Sequence, residues 1–291
     1  MIKRYIGPIY LTLAASIWGG MYVVSKIMLT FISPIELVWL RYVVALFTLG
    51  LMGFATRQSW HIQRQHIPLV LSIGVIGYFI SIWAQFAGTQ FSSAQMGAVI
   101  TSATPAFMVI FARILLGEKI TSRKAWSVCL ATIGVLLIVG IADIGGSSQI
   151  GGVILGIAAL TWALMSVLIK KVPSDYSQLV ITTYAILIAT VIMTPFAITQ
   201  IRLDELHLLM QPIAWGGILY LGIVSTAGAF FFWNKGLQMV EATRGGIYFF
   251  FQPLVGTLLG WFFLGEQVGF AFWIGTLLIL SGVLLIIKEE T

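Results

Sequence analysis

Charge is what this chain has least of. Its 291 residues hold 16 Lys and Arg and 10 Asp and Glu, so only 9% are charged, against about 25% in a soluble domain. With 59% hydrophobic residues and a mean hydropathy of +1.01, it could not clothe a surface in contact with water, and composition alone puts it in a bilayer. The net charge of +6 could suggest nucleic acid, but the bases sit in short loops between apolar runs, not on one face, so no nucleic-acid partner is expected. A single cysteine, Cys129, excludes an intrachain disulfide and reads as a small buried apolar residue. The three histidines, His61, His66 and His207, fall in loops on opposite sides of any membrane topology and form no metal site. No His-Glu-x-x-His, no Gly-x-Ser-x-Gly and no cysteine cluster occurs, so the chain reads as a non-enzyme that needs no cofactor. No carboxylate or histidine falls at the middle of an apolar run, which argues against a proton relay and makes bare cations poor substrates.

What is there instead is length. Runs of about 20 apolar residues can span the hydrocarbon core, and ten are found: Gly7–Leu29, Pro34–Ala55, Leu69–Phe91, Ser93–Leu116, Lys124–Ala142, Gly152–Lys170, Ser177–Ile198, Ile213–Gly236, Thr243–Leu264 and Phe270–Lys288. With the N-terminus inside, the inner ends collect Lys3, Arg4, Arg57, Arg64, Lys119, Arg123, Lys124, Lys170, Lys171, Lys235, Arg244 and Lys288, and the outer loops only Arg202. That bias predicts both termini in the cytoplasm of a multi-pass protein of a bacterial-type inner or plasma membrane.

The two halves repeat. Pro105, Gly117 and Glu118 fall on Pro253, Gly265 and Glu266 at an offset of 148 residues. Gly74, Gly88 and Gly134 fall on Gly222, Gly236 and Gly282 in the same register. A shorter offset of 144 lays Ala-Ala-Ser-Ile-Trp18 and Lys26 on Ala-Ala-Leu-Thr-Trp162 and Lys170. Five spans per half is odd, so the second half enters the membrane inverted. The predicted fold is an all-α integral membrane protein of ten transmembrane helices in two inverted five-helix repeats. They cover residues 6–142 and 151–288 and are joined by a Gly/Ser-rich linker at 143–150.

The first copy, with Trp18-Gly19, Lys26, Arg41-Tyr42, Pro105, Leu116-Gly117-Glu118 and Gly134-Val135, resembles the EamA repeat of the drug/metabolite transporter superfamily. The second copy shows a weaker form of it in Ala159, Trp162, Lys170, Pro253, Leu264-Gly265-Glu266 and Gly282-Val283. Arg41 has no basic counterpart there, and Thr183 is expected opposite it. The resemblance implies a carrier that exports or imports amino acids and small metabolites.

Helix-period stripes mark a candidate substrate cavity. They comprise Trp18, Tyr22 and Lys26 in the first span, Tyr78, Ser81 and Gln85 in the third and Thr101 and Thr104 in the fourth, and Arg41, a charge inside the second span, joins them. The second half adds Trp162 and Ser166, then Trp233 and finally Phe249 and Gln252. Glu36 is expected to pair with Lys26 or Arg41; otherwise one base is left to attract a carboxylate. Pro105 and Pro253 each remove a helix hydrogen bond, so a kink or hinge is expected at the same place in both halves. The reading is a secondary carrier, monomer or homodimer, with the lipid bilayer and a small-molecule metabolite as its partners. The solute is neutral or zwitterionic, best an amino acid, and is moved by alternating access, toward export as the resemblance implies. A lipid flippase or a channel is the alternative.

Overall fold

The computed structural model describes residues 2–29, 32–91, 101, 103–139, 148–200, 211–264 and 270–287, and the side chains of Tyr22 and Lys26 are outside this set. Most of the linker, with Arg202, His207, Gly265 and Glu266, also lies outside the described residues. The helices are α1 (Ile2–Met28), α2 (Pro34–Ala55), α3 (Arg64–Phe91), α4 (Thr104–Leu116), α5 (Ser122–Val139), α6 (Ser148–Ile169), α7 (Gln178–Gln200), α8 (Pro212–Met239), α9 (242–264) and α10 (Phe270–Ile287). No strand occurs among the described residues. Among the described residues, six stretches are long and apolar enough to cross a membrane: Tyr5–Ser25 within α1, α2, α3, Ile150–Ile169 within α6, α7 and α8. The apolar stretches Thr104–Leu116 and Trp273–Gly282 are shorter.

The surface is apolar where a soluble protein's is not: Phe54, Phe47, Ile114, Val153 and Trp126 are all exposed. Polar side chains instead go inward, with Ser127, Ser166, Thr182, Ser225 and Asn234 fully buried. That inversion is what hydrocarbon solvent selects, since a polar group facing lipid would lack a partner. Cys129 is exposed, contrary to the buried role expected of it. α5 turns Ser127, Ala131 and Gly134 toward α10, which leaves Cys129 off the packed face.

Equivalent positions of the halves make reciprocal contacts. A Cβ on Gly134 would stand 2.5 Å from Gly275 O, and one on Gly282 would stand 2.7 Å from Ser127 O. Gly88 meets Leu155 and Gly151 O as Gly236 meets Leu11 and Gly7 O. Gly74 meets Ile188 and Ala185 O as Gly222 meets Val44 and Arg41 O. Contacts of i with j′ and of i′ with j are the mark of a twofold relation. The last pair corrects the expected register, because Ala185, not Thr183, stands where Arg41 stands in the first half. Helix mates run antiparallel: α2 and α7 meet at Trp39–Thr194 near one end and Gly53–Leu179 near the other. α1 packs on α8 and α9, and α6 on α3 and α4, so each half's first helix is embedded in the other half.

Two helices widen at matching places. α3 is a π-helix over Ile73–Ser81 and α8 over Tyr220–Gly228. Each wide stretch leaves a carbonyl for an aromatic donor from another helix. Tyr42 OH donates to Tyr78 O at 2.7 Å, and Trp18 Nε1 donates to Ser225 O at 3.0 Å. Such bulges are frequent at functional sites.

Both prolines follow an interruption of the α-helical pattern. Pro105 is in the first turn of α4, after the N-cap Ala103. In α9 the α-turns of Ala242–Ile247 give way to a 3-10 turn, Tyr248–Phe250, and Pro253 lies in the first turn of Phe251–Leu264. A proline removes one N–H from the helix ladder, and at both places the α-helical pattern is interrupted just ahead of the ring, by Ala103 before α4 and by the 3-10 turn within α9.

Candidate functional site

Trp18 of α1 and Trp162 of α6, equivalent in the repeat, meet edge to face with ring centroids 5.3 Å apart. Phe230, Trp233 and Phe249 close around Trp18 at 5.5, 5.3 and 6.0 Å. Aromatic pairs of this geometry contribute about 0.5–1.5 kcal/mol each beyond area burial. The cluster is held by polar ends, Trp18 Nε1 on Ser225 O and Trp233 Nε1 on Ser166 Oγ at 3.2 Å.

A cavity of about 400 Å³, counting its open mouth, lies against this cluster. Its lining gathers Trp18, Met21, Arg41, Ser81, Ile82, Gln85, Thr101 and Thr104 from the first half and Ala158, Ala159, Trp162, Phe230, Phe249 and Gln252 from the second. Of the residues predicted from the stripes, Trp18, Arg41, Ser81, Gln85, Thr101, Thr104, Trp162, Phe249 and Gln252 are brought together here. Tyr78, Ser166 and Trp233 are not in the lining. They are fully buried behind it: Asn234 Nδ2 donates to Tyr78 OH at 2.7 Å, and Ser166 serves Trp233. The π-helix explains the Tyr78 displacement, because a wider turn advances less per residue and Tyr78 no longer shares a face with Ser81 and Gln85. The side chains of Tyr22 and Lys26 lie outside the described residues.

The stripe reading missed Met21, Ile82, Ala158, Ala159 and Phe230. In α1 the buried face runs through Trp18, Met21, Ser25 and Met28, a phase that the sequence did offer through alternating steps of three and four. Phe230 stands first in a run of three phenylalanines, which has no periodicity of its own.

Arg41 is 1% exposed. Its Nε donates to Thr226 Oγ1 at 2.7 Å and its Nη1 to Met21 Sδ at 3.3 Å. Its Cζ lies 5.5 Å from the Phe86 ring centroid and 5.9 Å from that of Phe230, within cation–π range. The expected Arg41–Glu36 pair is not formed. Glu36 is used in a capping box at the start of α2, where Ser33 N donates to Glu36 Oε2 at 3.0 Å. Among the described residues no carboxylate meets Arg41, and the lining holds no acid.

Polar contacts join the halves at the Lys/Arg-rich end of the molecule. Gly117 ends α4 in the left-handed region at φ 70°, a conformation that favours glycine. The turn aims Glu118 at α9, where its carboxylate accepts Ala242 N at 2.8 Å and Thr243 N at 3.1 Å. Those two amides begin α9 and have no acceptor within its own turns. Beside them Lys124 Nζ pairs with Glu241 at 2.7 Å and Arg244 Nε with the same carboxylate at 3.2 Å. Burial raises the Glu241 pKa, but the bond and charge of Lys124, with Arg244 and Lys170, outweigh it and hold it below the usual range. Among the described residues no group of His, Cys, Asp and Glu could hold a metal.

With this geometry in view, comparison with known proteins gives consistent results. A solved crystal structure superposes with a TM-score of 0.83 over 98% of this chain and 99% of its own, at 18% identity, which establishes the fold alone. An uncharacterized transporter of Archaeoglobus fulgidus is 26% identical over 97% of this chain and 99% of its own. A protein of Escherichia coli called a probable amino-acid metabolite efflux pump is 24% identical over 93% of this chain and 91% of its own. The EamA-like transporter family matches twice in tandem, over residues 5–140 and 149–288. A tandem match over nearly the whole length identifies the chain as a member of the EamA-like transporter family.

Proposed function

We propose that this chain is a secondary carrier, not an enzyme, of ten membrane-crossing helices in two inverted repeats, with both termini in the cytoplasm. It moves a small neutral or zwitterionic organic metabolite by alternating access, and an amino acid with an apolar or aromatic side chain fits best. The observation that carries this reading is the cavity between the halves, floored by Trp18 and Trp162 and lined from both. Two similar bundles around a shared central site can rock between two arrangements. The polar contacts at the Lys/Arg-rich end support a form closed on that side, with the cavity facing the other. Export is the favoured direction, in keeping with the family resemblance and with the relative named as an efflux pump.

Counterflow tests it. Purified protein in liposomes preloaded with apolar amino acids should accumulate the labelled solute transiently and saturably, with or without a pH gradient. Uptake that never saturates would identify a channel, and movement of labelled lipid without solute counterflow a flippase. An absolute need for a pH gradient, abolished at Glu118, would overturn the absence of a dedicated protonation site.

A further inference from the structure

We infer that the group this cavity recognises is a carboxylate, held on Arg41, and that an ammonium on the solute is optional. The inference widens the carrier reading from zwitterions to monoanions, and rests on it only for transport, not for binding. It starts from an imbalance of charge. The cavity lining contains a guanidinium and no carboxylate among the described residues, although a cation removed from water is costly unless an anion joins it. Ring faces at 5.5 to 6.0 Å offset part of that cost. Thr226 and Met21 occupy one N–H each, and the other N–H groups of the guanidinium have no acceptor among the described residues.

A second observation points the same way. Three polar atoms of the lining are buried without any partner: Trp162 Nε1, Thr104 Oγ1 and Gln252 Oε1. Their residues are 6%, 1% and 3% exposed. Buried polar atoms are nearly always bonded, so three orphaned ones on residues of a single lining point to a ligand there. Trp162 Nε1–H can only donate, and Thr104 can donate, which matches the acceptor oxygens of a carboxylate beside Arg41. Gln252 Oε1 can only accept. It offers an ammonium one neutral oxygen, far less than Arg41 offers an acid. The body of the solute then meets Trp18, Phe230 and Phe249. One guanidinium cannot neutralise a dianion, which disfavours phosphate esters. The class is therefore an apolar organic monocarboxylate, with amino acids as one subset of it.

The probes are 3-phenylpropanoate, phenylalanine, 3-phenylpropanamide, 2-phenylethylamine and 2-phenylethyl phosphate, titrated against the purified full chain by ligand-induced thermal stabilisation. Both acids should bind within about 10-fold of each other and at least about 10-fold tighter than the amide, the amine or the phosphate. Arg41→Gln should bring the acids down to the level of the amide. Trp162→Phe keeps an aromatic ring and removes the donor, and should weaken the acids roughly 2- to 10-fold and the amide less. Equal binding of acid and amide, tighter binding of the amine or phosphate, or no binding of either acid overturns the inference. If Arg41→Gln does not fold, the acid-against-amide comparison on the unaltered protein and Trp162→Phe still decide it. Acid binding without counterflow of that acid would overturn the carrier reading and leave the carboxylate site. Counterflow of the amide, undiminished by Arg41→Gln, would overturn the site and leave the carrier.

Discussion

At the scale of single residues, the tryptophans divide by what surrounds them. Trp18 and Trp162 are buried where the halves meet, whereas Trp126 of α5 and Trp273 of α10 are 65% and 59% exposed. Trp18→Ala or Trp162→Ala removes an aromatic wall and should weaken solute binding by roughly 2- to 10-fold. Trp126→Ala and Trp273→Ala should leave affinity unchanged, since an exposed apolar ring in this chain meets hydrocarbon. Competition binding on detergent-purified variants with unaltered elution profiles checks this, and equal losses in both sets would refute the cavity assignment. Sequence made the tryptophan of each first helix visible through its repeated Ala-Ala-x-x-Trp setting. It could not tell Trp233 from Trp18, because both are apolar-face tryptophans until a neighbour's position decides which one borders empty space.

At the scale of elements, the informative feature is the Leu116-Gly117-Glu118 turn. Its glycine stops α4, and its carboxylate caps a helix of the other half, which ties the two repeats at the Lys/Arg-rich end. Removing a helix cap costs about 0.5–2 kcal/mol, so Glu118→Ala should favour opening of that end by roughly 2- to 30-fold. A cysteine at Gln238, half-buried beside this network, would report it through faster thiol labelling from the cytoplasmic side of inverted vesicles. Labelling no faster than in the Glu118 parent would refute the tie. Acid should act in the same direction. Glu241 has its carboxyl pKa depressed in the folded chain, so its contribution is fully present above the ordinary value near 4.5 and is lost as pH falls through the depressed one. Labelling of the same cysteine, taken relative to a fully exposed control cysteine so that the pH dependence of the thiolate cancels, should therefore quicken below about pH 4.5 and stay flat between pH 6 and 8.

For the whole molecule, the test is orientation. After Cys129 is replaced, cysteines at Ser147 and Asp204 should react with an impermeant thiol reagent added to intact cells. Cysteines at Ser59 and Ser174 should react only once the cells are opened. The reverse pattern would overturn the proposed orientation of the termini. The twofold pattern of contacts gives the proposed rocking a physical basis. Each half meets the other through the same kinds of surface, such as Gly134 on α10 and Gly282 on α5, so exchanging the conformations of the halves costs little in packing.

The amino-acid sequence by itself determined the class of the protein and its internal duplication. Hydrophobic length and the scarcity of charge are sums over the chain, and a repeat of Pro, Gly and Glu at fixed offsets is visible without coordinates. It also determined part of the wall, because Ser81 and Gln85 lie on one helix face by period, whereas Thr101 and Thr104 lie on either side of the interruption ahead of α4. Tertiary structure decided the rest. Only packing could show that Arg41 bonds to Thr226 across 185 residues while Glu36 stays in its own capping box. Only backbone geometry could show that nine-residue π-helices rotate Tyr78 out of the wall. A local pattern specifies which face a residue is on, but the partner on that face comes from the other half of the chain, and no local period encodes it.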